Sequence, residues 1–222
     1  MDLPGLTQLL RDALPLMLKG AAWTLLLAVA SVFFGAIVGT VVALIRLAKL
    51  PVLSQLATLY VSCMRGTPLL VQLFVIYFGL PSIGLQFDPI SAGILGLSLN
   101  VGAYLSETLR GAINGVEHGQ WNAARSLGLT QTQTLRYVVG PQALRLAVPS
   151  LSNSLISLIK DTSLVSVIAV GELMLATKEV IATTFQPFPL YLAAAGIYWA
   201  MSASFETLQK RFELRLNRSY LR

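Results

Sequence analysis

The stretch Gly20–Ile45, GAAWTLLLAVASVFFGAIVGTVVALI, runs from one end to the other without a charged side chain. As a helix it reaches about 39 Å, more than the roughly 30 Å hydrocarbon core of a bilayer, so it predicts a tilted membrane span. Gly35 and Gly39 form a small-xxx-small pair that lets another helix approach closely. Arg46 and Lys49 follow, and Pro51 breaks the chain.

The rest of the 222 residues has the same character: 55% are hydrophobic and 12% charged, against about 25% charged in a soluble domain. Four further apolar runs, at about 53–80, 90–109, 147–170 and 188–208, give five spans and leave no room for a sizeable soluble domain. The expected division is an N-terminal amphipathic segment over 1–19 and a transmembrane domain over 20–222, with a cytoplasmic loop at 111–145. In the first segment Leu6, Leu9, Leu10, Ala13, Leu14 and Met17 recur at helical spacing, predicting a short helix on the membrane surface. The apolar run after Lys19 is too long for a signal-peptide core, so no cleaved leader is expected.

Charge placement orients the spans. With the N-terminus outside, the inner side holds Arg46, Lys49, Arg110, Arg125, Arg136, Arg145, Lys210, Arg211, Arg215, Arg218 and Arg222, eleven basic residues. The outer side holds three, Arg11, Lys19 and Lys178. This bias predicts N-terminus out and C-terminus in. The net charge of +6 is therefore distributed between spans and not along one face, which argues against a nucleic-acid partner. The lone cysteine, Cys63, has no internal disulfide partner.

Within the second run, Arg65-Gly66-Thr67-Pro68 predicts a break or kink near Thr67. Arg65 either snorkels to the nearer surface or meets a partner inside the bundle. The fourth run carries Asn153, Ser154, Ser157, Lys160 and Asp161, and polar residues inside a span face a cavity or a partner. Ser154, Ser157, Lys160 and Asp161 are thus candidates for the solute pathway, as is Asn100 in the third run; Gln72 and Thr67 rank lower. Asp161 is also a candidate cap for a locally broken helix. A Lys160–Asp161 pair serving only bundle packing is the plainer alternative. Glu107 and Arg110, three apart near the inner surface, are expected to pair structurally, and His118 to be solvated.

The inner loop of more than thirty residues is long for an idle connection. Gln120 to Leu127 predicts a short helix ended by Gly128 in the left-handed conformation. Trp121, Ala124 and Leu127 fall on one face, with Asn122 and Arg125 elsewhere. Thr130 and Gln133 make a capping box for a second helix, which Pro141 is expected to terminate. A surface loop without a partner and a docking element for a cytoplasmic protein are both compatible with this pattern; a DNA-reading helix-turn-helix between two spans is not expected.

Asn122-Ala123-Ala124-Arg125-Ser126-Leu127-Gly128, nine residues, then Val138-Val139-Gly140-Pro141 resembles the signature loop of ABC importer permeases: EAA, three residues, Gly, nine residues, I-x-L-P. Asn122 replaces the usual Glu, Val138 the Ile and Gly140 the Leu. Residues 65–74, RGTPLLVQLF, and Lys160-Asp161-Thr162-Ser163-Leu164 are similar to stretches of the polar-amino-acid branch. Residues 96–100, 107–110 and the tail 212–218 resemble cystine permease subunits in particular. The resemblance implies an all-α, five-span, type I-like permease in a bacterial cytoplasmic membrane, working with a second and most simply identical copy. It implies that Gln120, Trp121, Asn122, Ala123, Ala124, Arg125, Ser126, Leu127 and Gly128 couple to a separate cytoplasmic ATPase, and that an extracytoplasmic binding protein delivers the amino acid. The chain contains no G-x-x-x-x-G-K-[ST] loop, so no cofactor is expected on it, with ATP and Mg on the partner. A secondary transporter or channel independent of an ATPase, and a membrane scaffold, are the rival readings.

Overall fold

The computed structural model describes residues 3–218. Arg222, counted above on the inner side, lies outside them, as do residues 1–2 and 219–222 of the two expected segments and the side chains of Phe212 and residues 214–218 in the tail stretch. The described chain is helical throughout and contains no strand. It consists of α1 (Leu3–Leu47), α2 (Pro51–Gly66), α3 (Leu69–Phe74), α4 (Pro89–Asn114), α5 (His118–Ser126), α6 (Gln131–Thr134), α7 (Gly140–Asp161), α8 (Leu173–Thr184) and α9 (Pro187–Arg218).

The separate surface helix expected over residues 1–19 does not form. α1 is one helix from Leu3 to Leu47, carrying Pro15 within it. Its reach of about 67 Å is roughly twice the hydrocarbon thickness. The apolar stripe read as membrane-facing instead turns toward protein: Ala13 and Met17 are buried in a cluster with Leu173, Leu190 and Ala194 from α8 and α9. Burying that stripe within the fold satisfies the same hydrophobic drive as a lipid surface would.

α1 packs on α4 through its glycines. A Cβ placed on Gly35 would lie 2.4 Å from Val101 Cγ1, and one on Gly39 2.8 Å from the Gly102 carbonyl oxygen. Both separations are below any real side-chain contact, so only glycine allows this approach. Gly35 meets Ser98 and Val101, and Gly39 meets Gly102 and Leu105, so the two helices run in the same direction. The intervening chain has to return between them, and α2 and α3 do this with a bend of 110°. α3 continues through a π-helical turn, Val75–Gly79, and a 3₁₀ turn, Leu80–Ile83, and Leu73 and Ile76 close over Gly96.

The main core, with Leu27, Leu73, Leu97, Val101, Leu105, Leu158 and Val165, lies where α1, α3, α4 and α7 converge. Phe33, Phe34, Ile37, Val41 and Leu44 of α1 are exposed, an apolar surface of the kind a bilayer covers. By length and apolarity α1 and α4 can span, and α2 with α3 forms a third if taken as one broken span. α7 and α9 fall below that composition because polar residues run along them.

The expected bounds of the later helices are corrected in several places. The run at 147–170 is not one continuous α-helix: α-helical geometry stops at Asp161 and gives way to a 3₁₀ segment, Thr162–Ile168, which ends at Ala169 with φ 62°. Asp161 closes α7 and its side chain caps nothing. The stretch 171–187, expected to be loop, forms α8, and α9 continues ten residues beyond the 208 limit of the fifth run. Pro141 does not terminate the helix that begins at Gln131. It sits in the first turn of α7, where its missing N–H removes nothing, and a π-helical turn at Leu135–Val139 joins α6 to it.

Candidate translocation site

The break in the second run lies at Thr67–Pro68, where the sequence placed it. A helix that stops inside a bundle leaves its last carbonyls without partners. Here two side chains supply them. Gln72, buried, donates from Nε2 to the Met64 carbonyl at 2.9 Å, to the Thr67 carbonyl at 3.1 Å and to Thr67 Oγ1 at 2.9 Å. Asn100 of α4 donates from Nδ2 to the same Met64 carbonyl at 3.2 Å and to Gln72 Oε1 at 3.0 Å. The break is thus a fixed feature tied to α4, and Gln72 has a larger part in it than its sequence rank implied.

A cavity of about 560 Å³ opens beside this break, in the range of small-molecule sites. Its wall is formed by Thr67, Pro68 and Leu69 from the break, Asn100, Val101 and Tyr104 from α4, and Asn153, Ser154, Ser157, Leu158 and Asp161 from α7. Asn100, Ser154, Ser157 and Asp161 are therefore brought together as the sequence proposed. Ser154 is turned partly back onto its own helix, donating to the Ser150 carbonyl at 3.0 Å. Lys160 is not part of the wall; it is exposed on another face of α7 and makes no ion pair with Asp161 within 4.0 Å. Successive helical residues sit about 100° apart, so the two cannot share one face.

On the Glu107 side of the cavity three arginines surround one carboxylate. Arg46 at the end of α1 bonds Glu107 Oε1, Arg110 bonds Oε2 at 2.8 Å, and Arg65 Nη1 approaches Oε2 to 3.9 Å. The expected Glu107–Arg110 pair is present, and Arg65, its side chain 45% exposed, approaches the same carboxylate. Its guanidinium carbon also lies 5.4 Å from the centroid of the Tyr104 ring, a cation–π distance.

A second polar knot was not foreseen. Glu172, fully buried, N-caps α8 by accepting from the Leu175 N–H at 2.9 Å, and it accepts from Tyr198 Oη at 2.6 Å and Thr24 Oγ1 at 3.3 Å. It joins α1, α8 and α9. A carboxylate just before the apolar start Leu173-Met174-Leu175-Ala176 is an N-cap signal that the sequence does carry. Before α4, Asp88 caps the helix by accepting from the Ile90 and Ser91 amides at 3.0 and 3.1 Å. The hydrogen bonds from Ser91 hold its exposed carboxyl below the ordinary range.

The loop at 111–145 folds as its chemistry dictates. α5 ends in Gly128 at φ 76°, with the Gly128 N–H donating to Arg125 O and the Leu129 N–H to Ala124 O, a Schellman ending. The Thr130–Gln133 capping box is complete. Ala124 is buried and Trp121 half-buried against Ala112, Val116, Val139 and Ala143. Gln120 accepts from Gln142 Nε2 of α7 at 3.2 Å. Trp121 and Ala124 thus anchor the helix to its own chain. Asn122, Ala123, Arg125 and Ser126 are exposed, as are His118 and Gly128, and Leu127 is 80% exposed because it leaves the helix at its C-cap.

Residues 35–218 match the family of the binding-protein-dependent transport system inner membrane component. The chain belongs to that family. The permease is 42% identical over 207 residues to the probable amino-acid ABC transporter permease protein YckA of Bacillus subtilis, covering 93% of this chain and 92% of that one. It is 42% identical over 205 residues to the L-cystine transport system permease protein TcyB of the same organism, covering 92% and 88%. Its fold superimposes on a crystal structure of an amino acid ABC transporter with histidines at a TM-score of 0.90 and 35% identity, over 97% of this chain and 99% of that one. The permease is thus an inner-membrane subunit of a bacterial amino-acid ABC transporter, with the type I permease fold. ATP hydrolysis belongs to a separate subunit, and membership implies ATPase and binding-protein partners in general.

Proposed function

We propose that the permease conducts a polar amino acid, cystine foremost, through the cavity beside the Thr67–Pro68 break. The observation that carries this is the convergence of Asn100, Asn153, Ser154, Ser157 and Asp161 on one space within an otherwise apolar bundle. Polar groups are expensive in such surroundings unless they serve a cavity. A carboxylate and several uncharged hydrogen-bond donors suit the ammonium and carboxylate groups of an amino acid. The likeness to TcyB and the tail stretch favour cystine.

In this reading α2 with α3, α7 and α9 complete five spans with α1 and α4, N-terminus out, and two identical copies form the complex. ATP and Mg are held by the ATPase alone. Asn122, Ala123, Arg125 and Leu127 face that ATPase. Closure of the ATPase pushes α5, and Trp121, Ala124 and the Gln120–Gln142 bond pass the displacement to α4 and α7, whose side chains wall the cavity. The cavity then opens to one side of the membrane at a time.

The test is uptake of radiolabelled cystine, with competing glutamine and basic amino acids, into proteoliposomes holding the permease, its ATPase and binding protein. ATP-dependent uptake lost in Asp161→Asn is expected. Uptake that proceeds equally without ATP, or that ignores the substitution, overturns the reading.

A further inference from the structure

The charge of the cavity wall is one-sided. Asp161 is its acidic residue, and no lysine, arginine or histidine among the described residues lines it. An amino acid carries a carboxylate as well as an ammonium, and a carboxylate taken from water without a counter-charge is strongly disfavoured. Arg65 stands next to this space. It precedes the wall residue Thr67 by two positions and stacks on Tyr104, another wall residue, at 5.4 Å.

Its remaining contact is loose. The 3.9 Å separation from Glu107 Oε2 is beyond a hydrogen bond. Glu107 has no need of it, since Arg46 takes Oε1 and Arg110 takes Oε2. With three guanidiniums on one carboxylate, Arg65 is the surplus cation, and its side chain stays 45% exposed.

We infer that Arg65 recognises the solute's carboxylate, leaving its long contact with Glu107 while remaining against Tyr104. This inference rests on the cavity being the solute pathway. The planar guanidinium grips a carboxylate by two parallel N–H donors, which the single ammonium of a lysine cannot reproduce. Arg65 therefore makes the permease itself selective for free carboxylates over esters and amides, independently of the binding protein.

The experiment omits the binding protein, whose own selectivity would mask the effect. Binding of radiolabelled cystine to the purified permease–ATPase complex is competed with unlabelled cystine and with cystine dimethyl ester, which keeps both ammonium groups. Cystine is expected to compete roughly tenfold or more better than the ester in the wild type, as a charged hydrogen bond would confer. Arg65→Gln should bring the two within about twofold of each other, with Arg65→Lys between. If Arg65→Gln abolishes binding altogether, retained binding with reduced preference in Arg65→Lys supports the assignment, and equal loss in both overturns it. An unchanged preference in Arg65→Gln, with binding still lost in Asp161→Asn, overturns the role of Arg65 alone. Binding unaffected by Asp161→Asn removes the pathway reading and this inference with it.

Discussion

Asn100 donates a 3.0 Å hydrogen bond to Gln72 across the break in the second helix, and both side chains converge on the Met64 carbonyl. The pair holds open a discontinuity that the neighbouring cavity uses as wall. Replacing Gln72 with Leu leaves the Met64 and Thr67 carbonyls short of donors. It is expected to cost about 1–3 kcal/mol, read as a lower unfolding temperature in detergent. An unchanged midpoint would mean that the break holds itself.

Tyr198 is the only side chain from α9 seen bonding Glu172 among the described residues. Tyr198→Phe keeps the packing and removes the 2.6 Å bond, so a loss of about 1–3 kcal/mol is expected. Glu172→Leu should be worse, since the α8 cap goes as well. Thermal unfolding of the two variants side by side checks the order.

Gly39→Leu forces a side chain against the Gly102 carbonyl and Leu105. Overpacking of this kind costs roughly 1–3 kcal/mol, and here it must separate α1 from α4. Reduced yield of folded permease in detergent is the expected readout, while Thr40→Leu, one position along, serves as the control.

The loop distinguishes anchoring from docking. Leu127→Asp alters an 80% exposed side chain, so the permease should fold normally yet lose ATP-coupled uptake and co-purification of the ATPase. Ala124→Asp buries a charge and should unseat α5, visible as increased proteolysis of the loop. If Leu127→Asp transports normally, α5 does not meet the ATPase at that point.

Asp88 links the N-terminal end of α4 to pH. Its native pKa is lowered, so its contribution is present above the unfolded value of about 3.9 and is lost as pH falls through the native value. Protection of the Ile90 and Ser91 amides, taken relative to their intrinsic exchange rates, should fall on acidification below about pH 4, and Asp88→Asn should remove that pH dependence.

The features legible in the sequence are those set by near neighbours. Pro68 announces the break, Gly128 the end of α5, and Thr130 with Gln133 the start of α6. The polar spacing in α7 selects the cavity face, except at Lys160, one residue out of phase with it. What stayed hidden depends on which helices meet. Tyr104 becomes a wall residue only because α2 ends against α4, and Met17 is buried only because α8 and α9 cover it. The continuation through Pro141 was hidden for a local reason: a π-helical turn absorbs the proline, and hydropathy carries no mark of it.

That turn at Leu135–Val139 also works as a phase shifter. It contributes one residue beyond the α repeat between the loop and α7, and one residue is about 100° of rotation. Deleting one residue there would swing Asn153, Ser157 and Asp161 about 100° around the helix axis, away from Asn100. The loop that carries α5 and the side chains that wall the cavity are thus kept in angular register by a single surplus peptide unit.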